Sequence, residues 1–142
     1  MSPLKMTVAE LQAFLYSDMP QMADDFWVER SDQAGLCLRL RVSERHLRPG
    51  ATVSGPAMFG LADVAMYLAI LSRIGPIALA VTTNCSIDFM RKPAAGRDLR
   101  AEARVLKLGK TLAVGDVLLF SDGQAEPVAR AGLTYAIPPE KG

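Results

Sequence analysis

One long apolar stretch, residues 54–72 (SGPAMFGLADVAMYLAILS), restricts the possible folds more than any other part of the chain. Pro56 suits the first position of a helix, where its missing N–H would have no partner, and Gly75-Pro76 supplies a stop. The helix predicted over about 56–73 is apolar on nearly all sides, so other elements must surround it. Asp63 is its central charged residue. Because an unpartnered buried carboxylate is costly, Asp63 is the first candidate for a functional residue.

The segments on either side of this helix carry the alternating pattern of strands. Two strands are predicted before it, at 26–28 and 36–42, the second with one polar face, and a capping box at Thr7-Val8-Ala9-Glu10 predicts a short helix over about 7–16. Four strands are predicted after it, within 77–90, 99–105, 112–120 and 128–137. Turns without room for crossover helices imply antiparallel pairing. The sequence therefore predicts an α+β fold, an antiparallel sheet wrapped around one long central helix.

Composition argues against several classes of function. The 142 residues are 50% hydrophobic with a formal net charge of +1, which favours one globular domain and provides no field for nucleic acid. Cys37 and Cys85 lack metal-ligand spacing and His46 is the only histidine, so no metal site is expected and the thiols are expected to be reduced. The apolar stretch is shorter than the ~20 residues of a membrane span, and no signal-peptide pattern precedes it. We expect a cytoplasmic protein without membrane association.

Further motifs match one known family. Ser54-Gly55-Pro56 followed by Leu61-Ala62-Asp63 resembles the active-site helix of the PaaI-like acyl-CoA thioesterases, in which His-Gly-Gly and six further residues precede the Asp of Leu-Ala-Asp. The later segments that match the family's strands are Ser86 to Arg91, Gly96, Val105 to Lys110 and Ala129 to Ala131. The resemblance covers about residues 26–137. It implies a hotdog fold, as a single domain spanning 1–142.

Three positions depart from the family pattern. Ser54 replaces the motif's histidine, Pro56 replaces its second glycine, and Arg48 occupies a position that often holds asparagine. The helix, the first glycine and the carboxylate are retained. The chain therefore resembles a divergent subgroup of these thioesterases.

The resemblance implies hydrolysis of an acyl-CoA at the start of the central helix. The Gly55 N–H would donate to the thioester oxygen, in agreement with the partial positive charge of a helix N-terminus. Because Gly55 precedes a proline, its backbone is expected to be extended, with its amide outside the helix ladder. Asp63, about two turns further and on a similar side, would serve as general base or as nucleophile. The sequence does not separate these two roles.

The resemblance also implies that residues from both chains of a homodimer form each active site, and such dimers commonly pair into homotetramers. A partner's strand around 82–85 would add polar contacts, with Thr83 or Asn84 orienting the water. No metal or redox cofactor is implied, since coenzyme A enters as part of the substrate. The other predicted substrate contacts are Ser54, Pro56, His46 and, near the coenzyme A phosphates, Arg91, Lys92, Lys107 and Lys110.

Other interpretations stay open at this level. A hotdog protein could bind acyl-CoA or another acyl ligand without turnover, with Asp63 only hydrogen-bonded to a neighbouring hydroxyl or amide. An enoyl-thioester hydratase of the same fold is disfavoured, because that chemistry usually pairs an aspartate with a nearby histidine and His46 lies far upstream. His46 as a catalytic base lacks a Ser-x-Gly elbow or a cysteine partner, and a solvated position in its polar loop is expected.

Overall fold

The computed structural model of the protein describes residues 3–77 and 80–139. Its α-helices and strands in chain order are α1 Val8–Asp18, β1 Phe26–Asp32, β2 Gly35–Leu40, β3 Leu47–Arg48, β4 Thr52–Val53, α2 Gly55–Ile74, β5 Val81–Phe89, β6 Leu99–Leu108, β7 Leu112–Ser121 and β8 Pro127–Ala136. Short 3-10 helices span Ala23–Asp25 and Glu44–His46. Residues 78 and 79, which belong to the stretch predicted to be β-rich, lie outside the described residues. So do residues 1, 2 and 140–142 of the predicted single domain.

Six strands form one antiparallel sheet, within the described ranges, in the order β1-β2-β6-β7-β8-β5. Helix α2 packs against all six of them. This confirms the predicted sheet around one central helix. Strand β5 does not pair with β6, its successor in the chain, but lies beside β8 at the edge of the sheet. The two-residue strands β3 and β4 form a small second sheet within a segment that was expected to be a loop.

Helix α2 is the core of the molecule, as its apolar surface requires. Thirteen of its 20 residues are buried. By length and composition alone this helix could cross a membrane, contrary to the expectation that the stretch is too short, but 72% of its apolar window is buried inside the fold. Gly75, with a φ of 95°, ends the helix where the sequence predicted a stop.

Strand β7 approaches α2 closely at Gly115. A Cβ added to Gly115 would lie 2.3 Å from Cε of Met66 and 2.4 Å from the backbone oxygen of Arg104. The first contact involves a flexible side chain, whereas the second involves the backbone of the neighbouring strand β6. Glycine at this position therefore sets how closely the sheet packs on the central helix.

The N-terminal elements agree with the sequence with small differences. The capping box is present, because the Thr7 side chain accepts from the Glu10 amide and the Glu10 carboxylate accepts from the Thr7 amide. Strand β1 continues to Asp32, and β2 ends at Leu40, two residues before its predicted end. Cys37, which was expected to be a buried, reduced thiol, is free and only 4% exposed, and burial raises the pKa of its thiol to about 11.

Candidate active site

The start of α2 presents one free backbone amide. Ser54 is the N-cap, in extended conformation, and its Oγ accepts a hydrogen bond from the Ala57 amide at 3.3 Å. Gly55 is the first helical residue, so the extended residue is Ser54 and not Gly55 as predicted. Pro56, predicted at the first helical position, occupies the second and has no N–H. The first amide of the helix, that of Gly55, therefore has no competing neighbour and donates to no described residue.

A basic cavity of about 500 Å³ opens at Gly55. We call it the Gly55 cavity; it is lined by Arg48, Pro49, Thr52, Val53, Gly55, Met58, Phe89, Met90, Arg91, Lys92 and Pro93. Among the described residues, three cations and no carboxylate contribute to this lining. Arg91 pairs with Glu126 at 2.8 Å, whereas Arg48 and Lys92 have no ion pair with any described residue. The cavity therefore combines a helix N-terminus with positive side chains, which favours anionic ligands.

The Asp63 carboxylate is held by two hydroxyl groups on two strands. Its Oδ1 accepts from Thr82 Oγ1 of β5 at 2.6 Å and from Tyr135 Oη of β8 at 2.5 Å. Tyr135 Oη also lies 2.9 Å from the Asp63 backbone oxygen. Asp63 is half-buried, and among the described residues no donor contacts its Oδ2. The carboxylate is thus partnered on one oxygen and available on the other.

A second cavity, of about 340 Å³, opens at Asp63. We call it the Asp63 cavity; it is lined by Asp18, Met19, Asp63, Val64, Tyr67, Ala80, Val81, Thr82 and Tyr135. Tyr67 donates to Asp18 at 3.0 Å, and the rings of Tyr67 and Tyr135 are stacked with centroids 6.1 Å apart. Burial, and then the adjacent carboxylates, raises the pKa of both phenols well above its ordinary value. Both phenols therefore remain protonated donors at neutral pH, in a cavity to which the described part of the chain contributes two carboxylates and no cation.

Gly55 and Asp63 of one chain do not share a cavity. Eight residues separate them on α2, which corresponds to about 12 Å along the helix axis. Although both residues were predicted on a similar side of α2, they line different cavities of a single chain. Within one chain, each cavity holds half of the groups that the predicted chemistry requires.

Strand β5 reaches the Asp63 cavity through Val81 and Thr82, and not through the two residues named from the sequence. Thr83 is exposed and donates to the Thr134 backbone oxygen at 3.2 Å, and Asn84 is exposed; neither lines the Asp63 cavity. A register shift between Thr82 and Asn84 interrupts the side-chain alternation expected of a regular strand. Tyr135 is not among the residues predicted from the sequence, although its phase with the buried Leu133 in β8 indicates an inward-facing side chain.

His46 is a structural residue in a small hydrogen-bonded turn. It is only 8% exposed, contrary to the solvated position expected for its loop. Its Nδ1 accepts from the Ser43 amide at 2.9 Å, and its Nε2 lies 3.3 Å from Asp25 Oδ2. The His46 backbone oxygen accepts from the Ser54 amide at 2.8 Å. His46 lines neither cavity and instead fixes the segment that leads into α2.

The remaining predicted residues lie at different distances from the two cavities. Arg91 and Lys92 line the Gly55 cavity, whereas Lys107 and Lys110 are exposed on or beside β6 and line neither cavity. Cys85 is a free, half-buried thiol whose pKa is raised by burial and, to a smaller extent, by the Asp63 charge. Among the described residues, no cluster of three or more histidine, cysteine or acidic side chains could hold a metal ion.

Comparison with known proteins identifies the family. The profile of the Thioesterase superfamily matches residues 50–128, which include both cavities' helix. A solved structure from Silicibacter sp. TM1040, provisionally described as a thioesterase, is 54% identical and has a TM-score of 0.91, covering 97% of this chain and 96% of that one. The acyl-coenzyme A thioesterase PaaI of Escherichia coli K12 is 29% identical over 106 residues, 75% of this chain and 74% of its own. The chain therefore belongs to the thioesterase superfamily, as a hotdog-fold, PaaI-like thioester hydrolase.

Proposed function

We propose that the protein hydrolyses the thioester of an acyl-coenzyme A, with Asp63 as the catalytic carboxylate and the Gly55 amide as the oxyanion donor. The observation that carries this proposal is the pair of groups on α2: a free amide at its first residue and an ordered, half-buried carboxylate beside a cavity. The Escherichia coli relative, named as an acyl-coenzyme A thioesterase, supports the substrate class. The protein's own residues suffice for this chemistry, so the proposal includes no metal and no cofactor.

We further propose that each active site takes Asp63 from one copy and Gly55 from a second copy. Strand β5 is an edge strand, its N-terminal end lines the Asp63 cavity through Val81 and Thr82, and Phe89 at its C-terminal end lines the Gly55 cavity. If two copies of β5 pair antiparallel about a two-fold axis, each Asp63 cavity comes next to the partner's Gly55 cavity. A sheet edge left open in a single chain is also the surface that such pairing covers. The pairing of two such dimers into a tetramer remains a prediction.

The charges of the two cavities support the same arrangement. The Asp63 cavity contributes carboxylates, and the Gly55 cavity contributes Arg48, Arg91 and Lys92. Opposite charges on surfaces that meet favour association in this register. The cations also suit the phosphate groups of coenzyme A, which would leave the thioester beside the helix N-terminus. Of the basic residues expected at the phosphates, the proposal retains Arg91 and Lys92 and adds Arg48.

In the proposed reaction a water molecule lies between Asp63 and the thioester carbonyl carbon. Asp63 accepts a proton from the water, and the oxygen adds to the carbon to form a tetrahedral intermediate. The resulting oxyanion accepts a hydrogen bond from the Gly55 amide. The carbon–sulfur bond then breaks, the proton held by Asp63 passes to the thiolate, and the products are the carboxylic acid and free coenzyme A. The nucleophilic alternative, with an acyl–Asp63 anhydride, uses the same groups.

The first test measures hydrolysis of a panel of short, medium, long and aryl acyl-CoAs through the free thiol that each reaction releases. We expect the wild-type protein to release thiol, and Asp63→Asn to lose at least about 100-fold in kcat because the base is removed while shape is kept. The variant should keep its melting temperature rise on acyl-CoA binding. A wild-type rate in Asp63→Asn would contradict the catalytic role, and binding without thiol release in the wild type would support the acyl-CoA-binding alternative.

A mixing experiment tests the shared site. Gly55→Val places methyl groups beside the Phe89 ring, which already lies 3.4 Å from where a Cβ would stand, and should block approach to the amide. Mixed dimers of Gly55→Val and Asp63→Asn chains contain one site with both wild-type groups. We expect co-expression to restore up to about half of the wild-type kcat per mixed dimer, since such a dimer has one intact site of two. Activity no higher than that of the two variants assayed apart would place both groups in one chain.

A further inference from the structure

We propose that Tyr135 and Thr82 are positioning residues that fix the Asp63 carboxylate through Oδ1 and leave Oδ2 as the oxygen that reacts. This inference rests on the proposed function, because it assigns roles within the same site. It adds two residues on two strands that the motif on α2 does not contain. It also selects one of two chemically equivalent oxygens.

Tyr135 contacts Asp63 at two atoms. Its hydroxyl lies 2.5 Å from Oδ1, the nearer acceptor for its single proton, and 2.9 Å from the Asp63 backbone oxygen, so side chain and backbone of Asp63 both lie against the same atom of β8. Tyr135 is 3% exposed and its ring stacks on Tyr67, which restricts its movement. A rigid aromatic donor of this kind defines the rotamer of the carboxylate it binds.

Thr82 completes the hydrogen bonding of the same oxygen. Its Oγ1 donates to Oδ1 at 2.6 Å from the opposite strand of the β5–β8 pair, in which Thr82 is the direct partner of Tyr135. Two donors on Oδ1 occupy its two lone pairs, so this oxygen cannot also accept a proton from water without losing one of them. Oδ2 receives no donor from the described residues, which leaves it as the oxygen that can contact water or substrate.

The surrounding groups agree with this division between the two oxygens. Among the described residues, the titratable groups that face this region are Asp18 from α1, Tyr67 from α2, Cys85 from β5 and Tyr135 from β8, and none of these four carries a positive charge. Asp63 therefore depends on hydrogen bonds, and not on an ion pair, for its orientation. Two hydroxyl donors supply those bonds without neutralising the carboxylate.

The test compares Tyr135→Phe with Tyr67→Phe, a matched change on the neighbouring ring of the same cavity. Tyr135→Phe removes only the hydroxyl that contacts Asp63, whereas Tyr67→Phe removes the one that contacts Asp18. We expect Tyr135→Phe to lower kcat by about 10- to 100-fold, because a misplaced catalytic group loses rate without losing substrate, and to leave KM within about twofold. Tyr67→Phe should not reproduce this selective loss of kcat.

Thr82 supplies a second set of variants that does not depend on how Tyr135→Phe folds. Thr82→Val keeps the shape and removes the donor, so it should also lower kcat at unchanged KM, and Thr82→Ser should restore most of the rate. Melting temperatures of all four variants show whether each one is folded.

The outcomes separate the inference from the proposed function. If Asp63→Asn is inactive while Tyr135→Phe and Thr82→Val keep the wild-type kcat, the positioning role is wrong and the catalytic role of Asp63 stands. Equal falls of kcat in Tyr135→Phe and Tyr67→Phe, matched by equal losses of melting temperature, would likewise reduce Tyr135 to a stabilising residue. If Asp63→Asn keeps full activity, the proposed function itself fails.

Discussion

At the scale of single residues, Ser54 and Pro56 change how the active-site helix begins. Ser54 caps α2 through its hydroxyl, and Pro56 follows at the second helical position. Both residue types favour a helix start, so the departures from the family's His-Gly-Gly have a local structural reason. They also leave the amide of Gly55 as the first free donor of the helix. The Asp63 carboxylate and the free Gly55 amide are thus retained, although the residues on either side of Gly55 differ from the family pattern.

His46 gives the protein a dependence of stability on pH. Burial, and then the charge of Arg45, lowers the pKa of this imidazole below its ordinary value of about 6.5. The unfolded chain therefore binds a proton at a higher pH than the folded chain, and stability is lost as the pH falls below about 6.5. Protonation of Nδ1 would also remove the acceptor for the Ser43 amide.

We therefore expect the free energy of unfolding to decrease between about pH 7 and pH 5, and His46→Asn to reduce this decrease, because Asn can accept from Ser43 without titrating. Urea denaturation at several pH values measures the free energy of unfolding of the wild type and of His46→Asn. Parallel curves for the wild type and His46→Asn would show that other groups cause the pH dependence.

At the scale of elements, the closest approach between α2 and the sheet depends on Gly115. We expect Gly115→Ala to destabilise the protein by about 1–3 kcal/mol or more, since the added Cβ overlaps Met66 and the Arg104 backbone oxygen. Met66→Ala should not rescue it, because the clash with the backbone of β6 remains.

Gly132→Ala on the adjacent strand β8 is the matched control, as an added Cβ there meets no atom within 4 Å. Thermal and urea unfolding measure the stability of the two variants against the wild type. If Gly115→Ala is no less stable than Gly132→Ala, the packing of α2 on β7 is not set by this glycine.

The elements also separate what the sequence could predict from what it could not. The start of α2, its stop at Gly75 and the antiparallel sheet around it follow from local signals, namely caps, turns and periodicity. The strand order does not follow from such local signals, because β5 pairs with β8 although β6 and β7 lie between them in the chain. The donors of Asp63 were missed for the same reason: Tyr135 lies 72 residues away in sequence, and the irregularity at Thr83 changes which threonine faces inward. Residues that meet through non-local strand pairing have no fixed separation in the sequence, so no local motif identifies them.

At the scale of the whole molecule, the proposed site requires two copies joined along β5. Cys85 is the midpoint of Val81–Phe89, so full antiparallel self-pairing places Cys85 opposite its equivalent and Asn84 opposite Ser86 of the second copy. Asn84 and Ser86 are both exposed in the single chain. These two positions can therefore carry charges without disturbing the core.

We expect the double variant Asn84→Lys/Ser86→Lys to dissociate into single chains and to lose activity with them, because like charges would face each other across the axis. The matched variant Asn84→Lys/Ser86→Glu should remain paired and active, since each lysine would then face a glutamate. Sedimentation velocity measures the oligomeric state. An identical state for both variants would contradict this register of β5.

The apolar surface of α2 has a consequence for how the chain is made. The helix ends at Ile74, whereas the last three strands that cover it extend from Leu99 to Ala136. At a synthesis rate of about 5–20 residues per second, those strands follow the helix by several seconds. During that interval a segment with the length and hydropathy of a membrane span has only part of its cover. The newly made chain therefore cannot complete its core until strand β8 has been synthesised as far as Ala136, and factors that bind apolar nascent segments have time to engage this helix first.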